Sequence, residues 1–308
     1  MHTMDKVMKG LHEFINERAP NGPQSEAELN QLIDEFMVQH NESIENLYGD
    51  AEPMDVYDYL DFADKAYRKK DKKEYLAKAA ELEPDNADVK LAQAELEAKG
   101  PLELIEVLPG LIAEEEKRLK DQQIYNRSKG DFWLVVETRP YMRLLHRYLM
   151  NLTECGVINK AIQVGEEMMR LNRNDNLGIR FELMPLYAKV CNELKALKLY
   201  KQNKDEKTNS FYLLPLALLY FKLGDWPKAK SYLETLKQYY PITKKLIRAI
   251  KKEDMNFIHA NSSLLGYLPG TDEELMAAYL SNYSVYMTEP YFFEWADKAL
   301  IVHRKPKK

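Results

Sequence analysis

The stretch SFYLLPLALLYFKLGDWPKAKSYLETLKQYYP, residues 210–241, carries the clearest structural signal in the chain. Its apolar first half leads to Gly224, and Trp226, Ala229 and Pro241 follow. Glycine lets a helix end in a sharp turn, and a small alanine lets two helices approach closely. Proline stops a helix because its nitrogen has no hydrogen to donate. The stretch therefore predicts two antiparallel helices joined by a tight turn.

The same layout recurs twice upstream. Gly156 and Ala161 occupy the turn positions of one earlier segment, and Cys191 with Ala196 occupies those of a degenerate segment between the two. The three segments start at residues 142, 177 and 210, which are 35 and 33 residues apart. This period resembles that of the tetratricopeptide repeat (TPR), a helix–turn–helix unit of about 34 residues. The resemblance predicts an all-α fold, a TPR-like α-solenoid of antiparallel helix pairs with extra helices at both ends.

Most of the remaining sequence also has the apolar spacing of amphipathic helices, and no segment shows the alternation of a β-strand. Ser25 followed by Glu28 is a capping box, which predicts that a helix starts there. Further helices are predicted over residues 4–18, 54–69, 72–82, 86–98 and 101–125. The expected organisation is an N-terminal helical segment (1–50), the TPR-like array (51–255), and C-terminal capping helices with a basic tail (256–308).

Composition narrows the classes of protein to consider. The 308 residues include 45% hydrophobic and 30% charged side chains, which is enough apolar material for a core. Cys155 and Cys191 are the only cysteines, so neither a disulfide framework nor a cysteine zinc site is expected. The N-terminus lacks the apolar region of a secretion signal, and no apolar run approaches the ~20 residues of a membrane span. A soluble, cytoplasmic protein is therefore expected.

The motifs of familiar catalytic and cofactor sites are missing from the sequence. The six histidines show no metal-binding spacing, and there is no nucleophile elbow, phosphate-binding loop or dinucleotide fingerprint. Consecutive acids such as Glu114–Glu116 have the pattern of an exposed helix face. The sequence therefore predicts no enzyme activity, no cofactor and no metal.

Three motifs carry a more specific resemblance: GDFW at 130–133, ETRPYMR at 137–143 and LNRNDNLGIR at 171–180. Together they resemble the suppressor-of-tumorigenicity family of TPR proteins, and more closely its uncharacterised bacterial relatives. Arg173 and Leu177 stand where that group usually has Pro and Gln. The likeness extends to SEAELNQLIDEFMVQHN, AELEPDN and LLGYLPGTDEELMAAYL, so it covers most of the chain. It implies a TPR-like helical fold and no established chemistry.

The resemblance to TPR proteins also implies a binding surface, because the first helix of each repeat lines the concave groove in that family. The predicted groove residues are Arg139, Arg143, His146, Met150, Phe181, Lys189, Phe211, Leu214, Leu218 and Phe221. Arginine and aromatic side chains are typical of peptide-binding surfaces. The alternative is that Arg139 and Arg143, four residues apart on one helix face, pair with Glu137 or Glu182 and lock neighbouring repeats together.

A cluster of short polar side chains, Asn172, Asn174, Asp175 and Asn176, falls at a predicted turn between helices. Asn and Asp cap helix starts because their side chains accept hydrogen bonds from backbone N–H groups. A hard cation is the alternative ligand, but no EF-hand spacing follows the cluster. Helix capping is therefore the preferred interpretation.

Residues 242–252, ITKKLIRAIKK, form a strongly amphipathic segment. Its cations, called the basic patch below, are Lys244, Lys245, Arg248, Lys251 and Lys252. Such a patch is also found on surfaces that bind nucleic acid or an anionic membrane, yet the whole chain has a net charge of −5. Residues 1–100 alone hold 12 basic and 23 acidic side chains, so an acidic front precedes a mildly basic remainder. A solvated helix face is the preferred interpretation of the patch.

The sequence thus favours a non-catalytic TPR scaffold that mediates protein–protein interaction and holds a protein or peptide segment in its concave groove. A monomer or a weak homodimer is expected. The alternative is a nucleic-acid-associated regulatory protein that uses the basic helices of residues 228–252, although nucleic acid is the less expected partner.

Overall fold

The computed structural model describes residues 2–20, 22–47, 55–263 and 266–301. Over these ranges the chain forms eighteen α-helices and two short 3₁₀-helices without any β-strand, which confirms the all-α class. No helix in this described part is long and apolar enough to cross a membrane. The chain divides into two compact units, Met1–Leu144 and Leu145–Lys308. The domain boundaries predicted near residues 50 and 255 stay predictions.

The helices of the first unit agree closely with the sequence periodicity. They are α1 (His2–Arg18), α2 (Glu26–Leu47), α3 (Val56–Lys65), α4 (Lys69–Leu82), α5 (Ala87–Glu97), α6 (Pro101–Asp121) and α7 (Ile124–Arg127), followed by the 3₁₀-helix Val136–Thr138. The ends of α1 and of α3 to α6 differ from the predicted ones by no more than four residues. Apolar side chains of α3, α4 and α5 form a buried core that includes Val56, Leu60, Leu76 and Val89.

Short polar side chains fix where these helices begin. The Ser25 hydroxyl accepts a hydrogen bond from the Glu28 N–H (3.1 Å), and the Glu28 carboxylate accepts one from the Gln24 N–H (2.6 Å). Asp55 caps α3 in the same manner, because it accepts from the Asp58 N–H (3.0 Å) while Asp58 accepts from the Asp55 N–H (3.1 Å). These bonds satisfy amide groups that every helix leaves free in its first turn.

Helix α8 (Arg139–Glu154) starts in the first unit and ends in the second. The second unit continues with α9 (Ile158–Leu171), α10 (Ile179–Lys189), α11 (Glu193–Gln202), the 3₁₀-helix Lys204–Glu206, α12 (Ser210–Lys222), α13 (Trp226–Tyr239), α14 (Thr243–Lys251), α15 (Met255–Ala260), α16 (Asp272–Ser281), α17 (Tyr283–Tyr286) and α18 (Pro290–Ala299). Helix α12 lies at the centre, because all its side chains from Ser210 to Tyr220 are buried and it packs on α10, α13 and α16.

The turns inside successive helix pairs of the second unit share one backbone geometry, whereas the residues that directly follow α9 and α13, before the next pair, are extended. Gly156, Cys191 and Gly224, the three turn positions predicted from the sequence, have φ angles of 74°, 56° and 78°. These angles lie in the left-handed region, which closes the last turn of a helix by redirecting the following N–H groups onto its carbonyls. Glu253 adopts the same conformation at φ 55° and marks a fourth turn that the repeat pattern did not predict.

Five residues after each of these turns, one side chain is fully buried where two helices meet. The four residues are Ala161, Ala196, Ala229 and Ile258, each with an exposed fraction of 0%. The alanines occupy the positions that the sequence predicted for close helix approach. The fourth turn was not predicted because glutamate and isoleucine stand at Glu253 and Ile258, where the pattern calls for glycine and alanine.

A three-residue polar contact links helices of neighbouring pairs. The Tyr187 hydroxyl on α10 donates a hydrogen bond to the Glu166 carboxylate on α9 (2.9 Å), and Lys195 Nζ on α11 lies 2.5 Å from the same oxygen. Burial and the bond to Glu166 raise the pKa of Tyr187 above its ordinary value, so the hydroxyl stays a donor.

The next pair of helices repeats this contact. The Tyr220 hydroxyl on α12 donates to Glu193 on α11 (2.6 Å), and Lys228 Nζ on α13 lies 3.7 Å from that carboxylate and 3.8 Å from the centre of the Tyr220 ring. The tyrosines and the lysines of the two copies are each 33 residues apart. The period seen in the sequence therefore also governs how side chains pair in the structure.

Candidate binding surfaces

The groove predicted from the repeat register falls on α10 and α12, where its aromatic residues are in contact. The ring centres of Phe181 and Phe211 lie 4.6 Å apart, and that of Phe211 lies 5.7 Å from Tyr267. Phe211, Leu214 and Leu218 have exposed fractions of 5%, 2% and 0%. These three predicted groove residues are interior residues in the structure.

The C-terminal helices pack on this same face. Helix α16 contacts α12, and α17 contacts α10. The ring centre of Phe221, on the last turn of α12, lies 5.6 Å from that of Phe292 and 5.2 Å from that of Trp295 on α18. The chain's own C-terminal helices therefore fill the apolar part of the predicted groove, and a peptide does not reach it while they are in place.

An ion-pair cluster holds the polar end of this contact. The Glu289 carboxylate lies 2.6 Å from Lys189 Nζ and 2.8 Å from Lys222 Nζ. Burial alone would raise the pKa of Glu289, but hydrogen bonds from the two lysines outweigh it, so the net pKa is lowered. Lys189, which the repeat register placed in the groove, anchors the segment that leads into α18.

The two arginines of the ETRPYMR motif are committed to contacts inside the first unit. Arg143 donates from Nε to Asp88 Oδ1 (2.7 Å) and from Nη2 to Asp88 Oδ2 (2.6 Å), and Asp88 has a side chain only 1% exposed. Arg139 is also buried, donates to the Trp133 carbonyl (2.8 Å) and lies 5.5 Å from the centre of the Trp133 ring. Both arginines fit the packing alternative, with partners different from the predicted glutamates.

His146 lies near the glutamate that had been predicted as an arginine partner. Its Nε2 is 3.8 Å from Glu182 Oε1, which is beyond hydrogen-bond distance, and this nitrogen is buried without a hydrogen-bond partner. The His146 side chain is 34% exposed, so the ring itself reaches solvent. In the structure His146 therefore lies beside Glu182 and is not part of a group of side chains that could bind a ligand.

One residue of the polar cluster at 172–176, Asp175, caps a helix as preferred from the sequence, whereas Asn172 Oδ1 is buried without a hydrogen-bond partner. Asp175 has a left-handed φ of 48° and accepts hydrogen bonds from the N–H groups of Ile179 (2.6 Å) and Arg180 (3.1 Å) at the start of α10. The Arg180 guanidinium lies 2.8 Å from the same carboxylate and 3.0 Å from Glu206. The LNRNDNLGIR motif thus builds a helix start and its ion pair.

The basic patch lies on α14, whose apolar side packs against α18. Arg248 Nε is 3.1 Å and Lys251 Nζ is 2.7 Å from the Asp297 carboxylate on α18. The bond from Lys251, followed by that from Arg248, lowers the pKa of Asp297 although partial burial opposes it. Two of the five cations therefore share one carboxylate of their own unit, which offsets one of their two positive charges.

The other three cations of the basic patch differ in their surroundings. Lys244 is partly buried, and its Nζ lies 3.4 Å from the Leu300 carbonyl oxygen. Lys245 and Lys252 are exposed and form no ion pair within the residues that the structure describes. Lys244, Lys245 and Lys252 therefore have no carboxylate partner in the described part of the chain, and of these three Lys245 and Lys252 are exposed to a partner.

A surface that no sequence motif marks lies in the first unit. A cleft of about 520 Å³ opens beside α1, the turn between α4 and α5, α6 and the 3₁₀-helix that precedes α8. Five carboxylates line this acidic cleft, from Glu13, Glu83, Asp85, Glu115 and Glu137, against two cations, from Lys9 and Arg118. The side chains come from four distant segments, so no local pattern could reveal the site.

Both cations of the acidic cleft are already paired. The Arg118 guanidinium binds both oxygens of Glu115, at 2.7 and 2.6 Å, and Lys9 Nζ lies 3.7 Å from Glu83. Glu115 has an exposed fraction of 4%, so the expectation that all of Glu114–Glu116 form an exposed face is wrong for this residue. It is buried because it serves as the partner of Arg118.

The remaining carboxylates leave the acidic cleft with net negative charge. Glu13 and Glu137 are exposed, and neither carboxylate makes a hydrogen bond or ion pair within the described ranges. Asp85 has only a long contact, 3.4 Å, to Lys90 Nζ, which lies closer to Glu114 (2.6 Å). The excess of acidic residues at the front of the chain was the sequence signal that pointed to this surface.

Among the residues that the structure describes, no group of three or more His, Cys, Asp or Glu side chains is placed to hold a metal ion. Cys155 and Cys191 are free thiols. Comparison of the chain with models of known protein families, with curated proteins and with solved structures finds no significant match.

Proposed function

We propose that the chain is a non-catalytic interaction protein built on TPR-like helix pairs, related to the suppressor-of-tumorigenicity-like family. The recurring left-handed turns at Gly156, Cys191 and Gly224 support the repeat, and so do the two tyrosine–glutamate–lysine contacts of the same period. The family motifs fit a structural role, since Arg143 binds Asp88 and Asp175 caps α10.

The proposed ligand is a protein segment rich in lysine and arginine, bound in the acidic cleft of the first unit. One observation carries this choice: Glu13 and Glu137 border a cleft of about 520 Å³, and neither carboxylate makes a hydrogen bond or ion pair in the described structure. A partner's cations would supply the missing charge, and like-signed carboxylates would reject acidic segments.

The acidic cleft replaces the concave groove as the proposed site because of what fills each surface. The groove face of α12 is packed against α16, and Leu218 on it is fully buried. A peptide there would have to displace part of the second unit's core. Peptide binding in the acidic cleft requires no such displacement.

The test is the binding of a fluorescein-labelled peptide of alternating lysine and alanine, measured by fluorescence anisotropy at low salt. Replacing both free carboxylates, Glu13→Gln with Glu137→Gln, should weaken binding about fivefold to tenfold, because each exposed ion pair contributes up to about 1 kcal/mol. Raising the ionic strength should weaken binding by the wild-type chain further, since exposed charges are screened over about 10 Å at 0.1 M salt.

The matched control is Glu97→Gln, which removes an exposed carboxylate from α5 of the same unit, away from the cleft. This variant should bind the peptide as the wild-type chain does. Equal losses in the control and the cleft variant would mean that only overall charge matters. If the peptide affinity is unchanged in both variants, the peptide binds outside the acidic cleft. Either result would overturn the proposed site.

A further inference from the structure

A smaller cavity opens directly beside the acidic cleft, within the same unit. Its volume is about 360 Å³, and its walls come from α1, from α2, from the start of α3 and from the residue after α4. Lys9, Glu13, Tyr57 and Glu83 line both cavities, so the two are contiguous. A ligand in the acidic cleft therefore has direct access to this second cavity, which is called the apolar recess below.

The accessible apolar surface of the recess comes from two helices. Val7 on α1 and Phe36 on α2 are half-buried, so part of each side chain is open to a ligand. Gly10 lies one turn after Val7 and faces the Phe36 ring, because a Cβ at this position would be 3.5 Å from two of the ring atoms. The Phe36 ring also packs against that of Phe14, with ring centres 5.7 Å apart. The missing side chain at Gly10 keeps the recess open.

Most charges around the apolar recess are paired with each other. Lys6 Nζ lies 3.2 Å from the Asp55 carboxylate, and Lys9 Nζ lies 3.7 Å from that of Glu83. Glu13 is the remaining charged residue of the lining, and its carboxylate makes no hydrogen bond or ion pair in the described structure. The recess itself therefore suits an uncharged side chain, whereas Glu13, on the border with the acidic cleft, suits a cation.

We propose that the basic segment bound in the acidic cleft places one large apolar side chain, aromatic by preference, in the apolar recess. This side chain lies two positions from the lysine or arginine that pairs with Glu13. In an extended peptide, side chains two positions apart point to the same face and are about 7 Å apart. An aromatic ring is preferred because it packs against the ring of Phe36. The proposal rests on the proposed function, since the same partner supplies both side chains.

The probes are two fluorescein-labelled peptides of equal charge, each with three lysines separated by alanines. One carries phenylalanine two positions outside the first and the last lysine, which covers both chain directions, and the other carries alanine there. Fluorescence anisotropy at low salt should show about tenfold tighter binding of the phenylalanine peptide. Tenfold corresponds to about 1.4 kcal/mol, just below the range for complete burial of a phenylalanine side chain, because the recess is open on one side.

Gly10→Leu fills the recess from α1 and should bring the ratio of the two affinities close to one. Gly10→Ala adds a single methyl group beside Phe36 and should lower the ratio only in part. In urea unfolding, both variants should be at least as stable as the wild-type chain, since leucine and alanine favour a helix more than glycine does. The matched control is Gly110→Leu, the same exchange at an exposed glycine of α6 outside both cavities, which should keep the tenfold preference.

The outcomes separate this proposal from the proposed function. Equal affinity of the wild-type chain for the two peptides would overturn the role of the recess, while the acidic cleft stands as long as Glu13→Gln with Glu137→Gln weakens binding. A tenfold preference that persists in Gly10→Leu would place the aromatic ring outside the recess and would also overturn the proposal. If the two carboxylate replacements leave binding of the alanine peptide unchanged, the proposed function is wrong, and the role of the recess is overturned with it.

Discussion

The two units differ in how regularly left-handed turns recur between their helices. In the second unit, Cys191 and Gly224 end their helices in the left-handed region. In the first unit, Ala66 after α3 and Ala98 after α5 have extended backbones, with ψ angles of 130° and 140°. A left-handed cap closes bonds back onto the helix that it ends, which fixes a short, reproducible turn. The first unit also has left-handed residues after helices, Gly22 and Gln123, but these lie 101 residues apart, so the regular period of such turns belongs to the second unit.

The units also use their charges differently. The first holds 19 basic and 31 acidic side chains, and the second holds 25 basic and 18 acidic ones. In the second unit, lysines such as Lys189, Lys222 and Lys195 are used in contacts between helices. In the first unit, carboxylates such as Glu13 remain unpaired at a cleft within the described residues. An excess of charge of one sign is available to a binding partner only where the charged side chains are not already paired within the unit.

The largest expected effect concerns the buried pair of the first unit. Asp88→Ala leaves the guanidinium of Arg143, which is 10% exposed, without its bidentate partner. Removing one partner of a buried pair should lower the free energy of unfolding by about 3–5 kcal/mol. Urea unfolding followed by circular dichroism measures it.

The matched variant in the second unit is Glu206→Ala, since Arg180 then keeps Asp175 at 2.8 Å and the lost carboxylate is 35% exposed. Its effect should be about 1 kcal/mol or less. Similar losses in the two variants would show that Arg143 is not more dependent on its carboxylate than Arg180 is.

A second test addresses the turns, with effects of opposite sign. Gly224→Ala places a side chain at φ 78° and should lower the free energy of unfolding by about 1–2 kcal/mol. Cys191→Gly removes the strain of a non-glycine residue at φ 56° and should raise the free energy of unfolding by up to about 1 kcal/mol. Gly110→Ala, in the middle of α6 of the first unit with no atom near the new Cβ, should be stabilising by about 1 kcal/mol. Thermal unfolding of the three variants gives the signs, and a stabilising Gly224→Ala would refute the turn geometry.

A third test uses pH to probe the contact that closes the groove face. The pKa of Glu289 is lower in the folded chain than its ordinary value of 4.5, so its ion pairs contribute stability above that value and lose it as the pH falls through the folded pKa. Glu289→Gln should therefore flatten the loss of stability between about pH 5 and pH 3. The urea midpoint at several pH values measures the effect. Glu294→Gln, an exposed neighbour on α18, serves as the control and should keep the wild-type slope.

The smallest expected effect is on nucleic-acid binding by the second unit. Only Lys245 and Lys252 of the basic patch lack an internal partner among the described residues, and two phosphate contacts give only weak binding. A gel shift with single- and double-stranded DNA at 0.1 M salt should show no complex. A complex that Lys245→Gln with Lys252→Gln abolishes would instead support the nucleic-acid alternative for residues 228–252.

Local features of the fold could be read from the sequence. The capping box at Ser25 and Glu28, the ends of α3 to α6, and the turns at Gly156 and Gly224 depend on residues within a few positions of each other. Helix spacing and capping chemistry are properties of such short windows. For the same reason, the residues around Asp175 were enough to predict that it caps a helix.

Long-range partners could not be read in this way. Asp88 lies 55 residues from Arg143, and periodicity on one helix says nothing about which distant carboxylate meets it. The packing of α16 and α17 on the predicted groove had no local sign either, because an apolar helix face looks the same whether a peptide or the chain's own helices cover it. For the acidic cleft, the sequence showed only an excess of acidic over basic residues in the first hundred positions and not which of them meet.

Hydrogen–deuterium exchange of the whole chain, with and without a saturating lysine-rich peptide, tests the central claim most directly. Peptide bound in the acidic cleft should slow exchange in α1, in the turn between α4 and α5 and in α6, and leave α10 and α12 unchanged. Slower exchange confined to α10 and α12 would return the binding site to the concave groove and contradict the account.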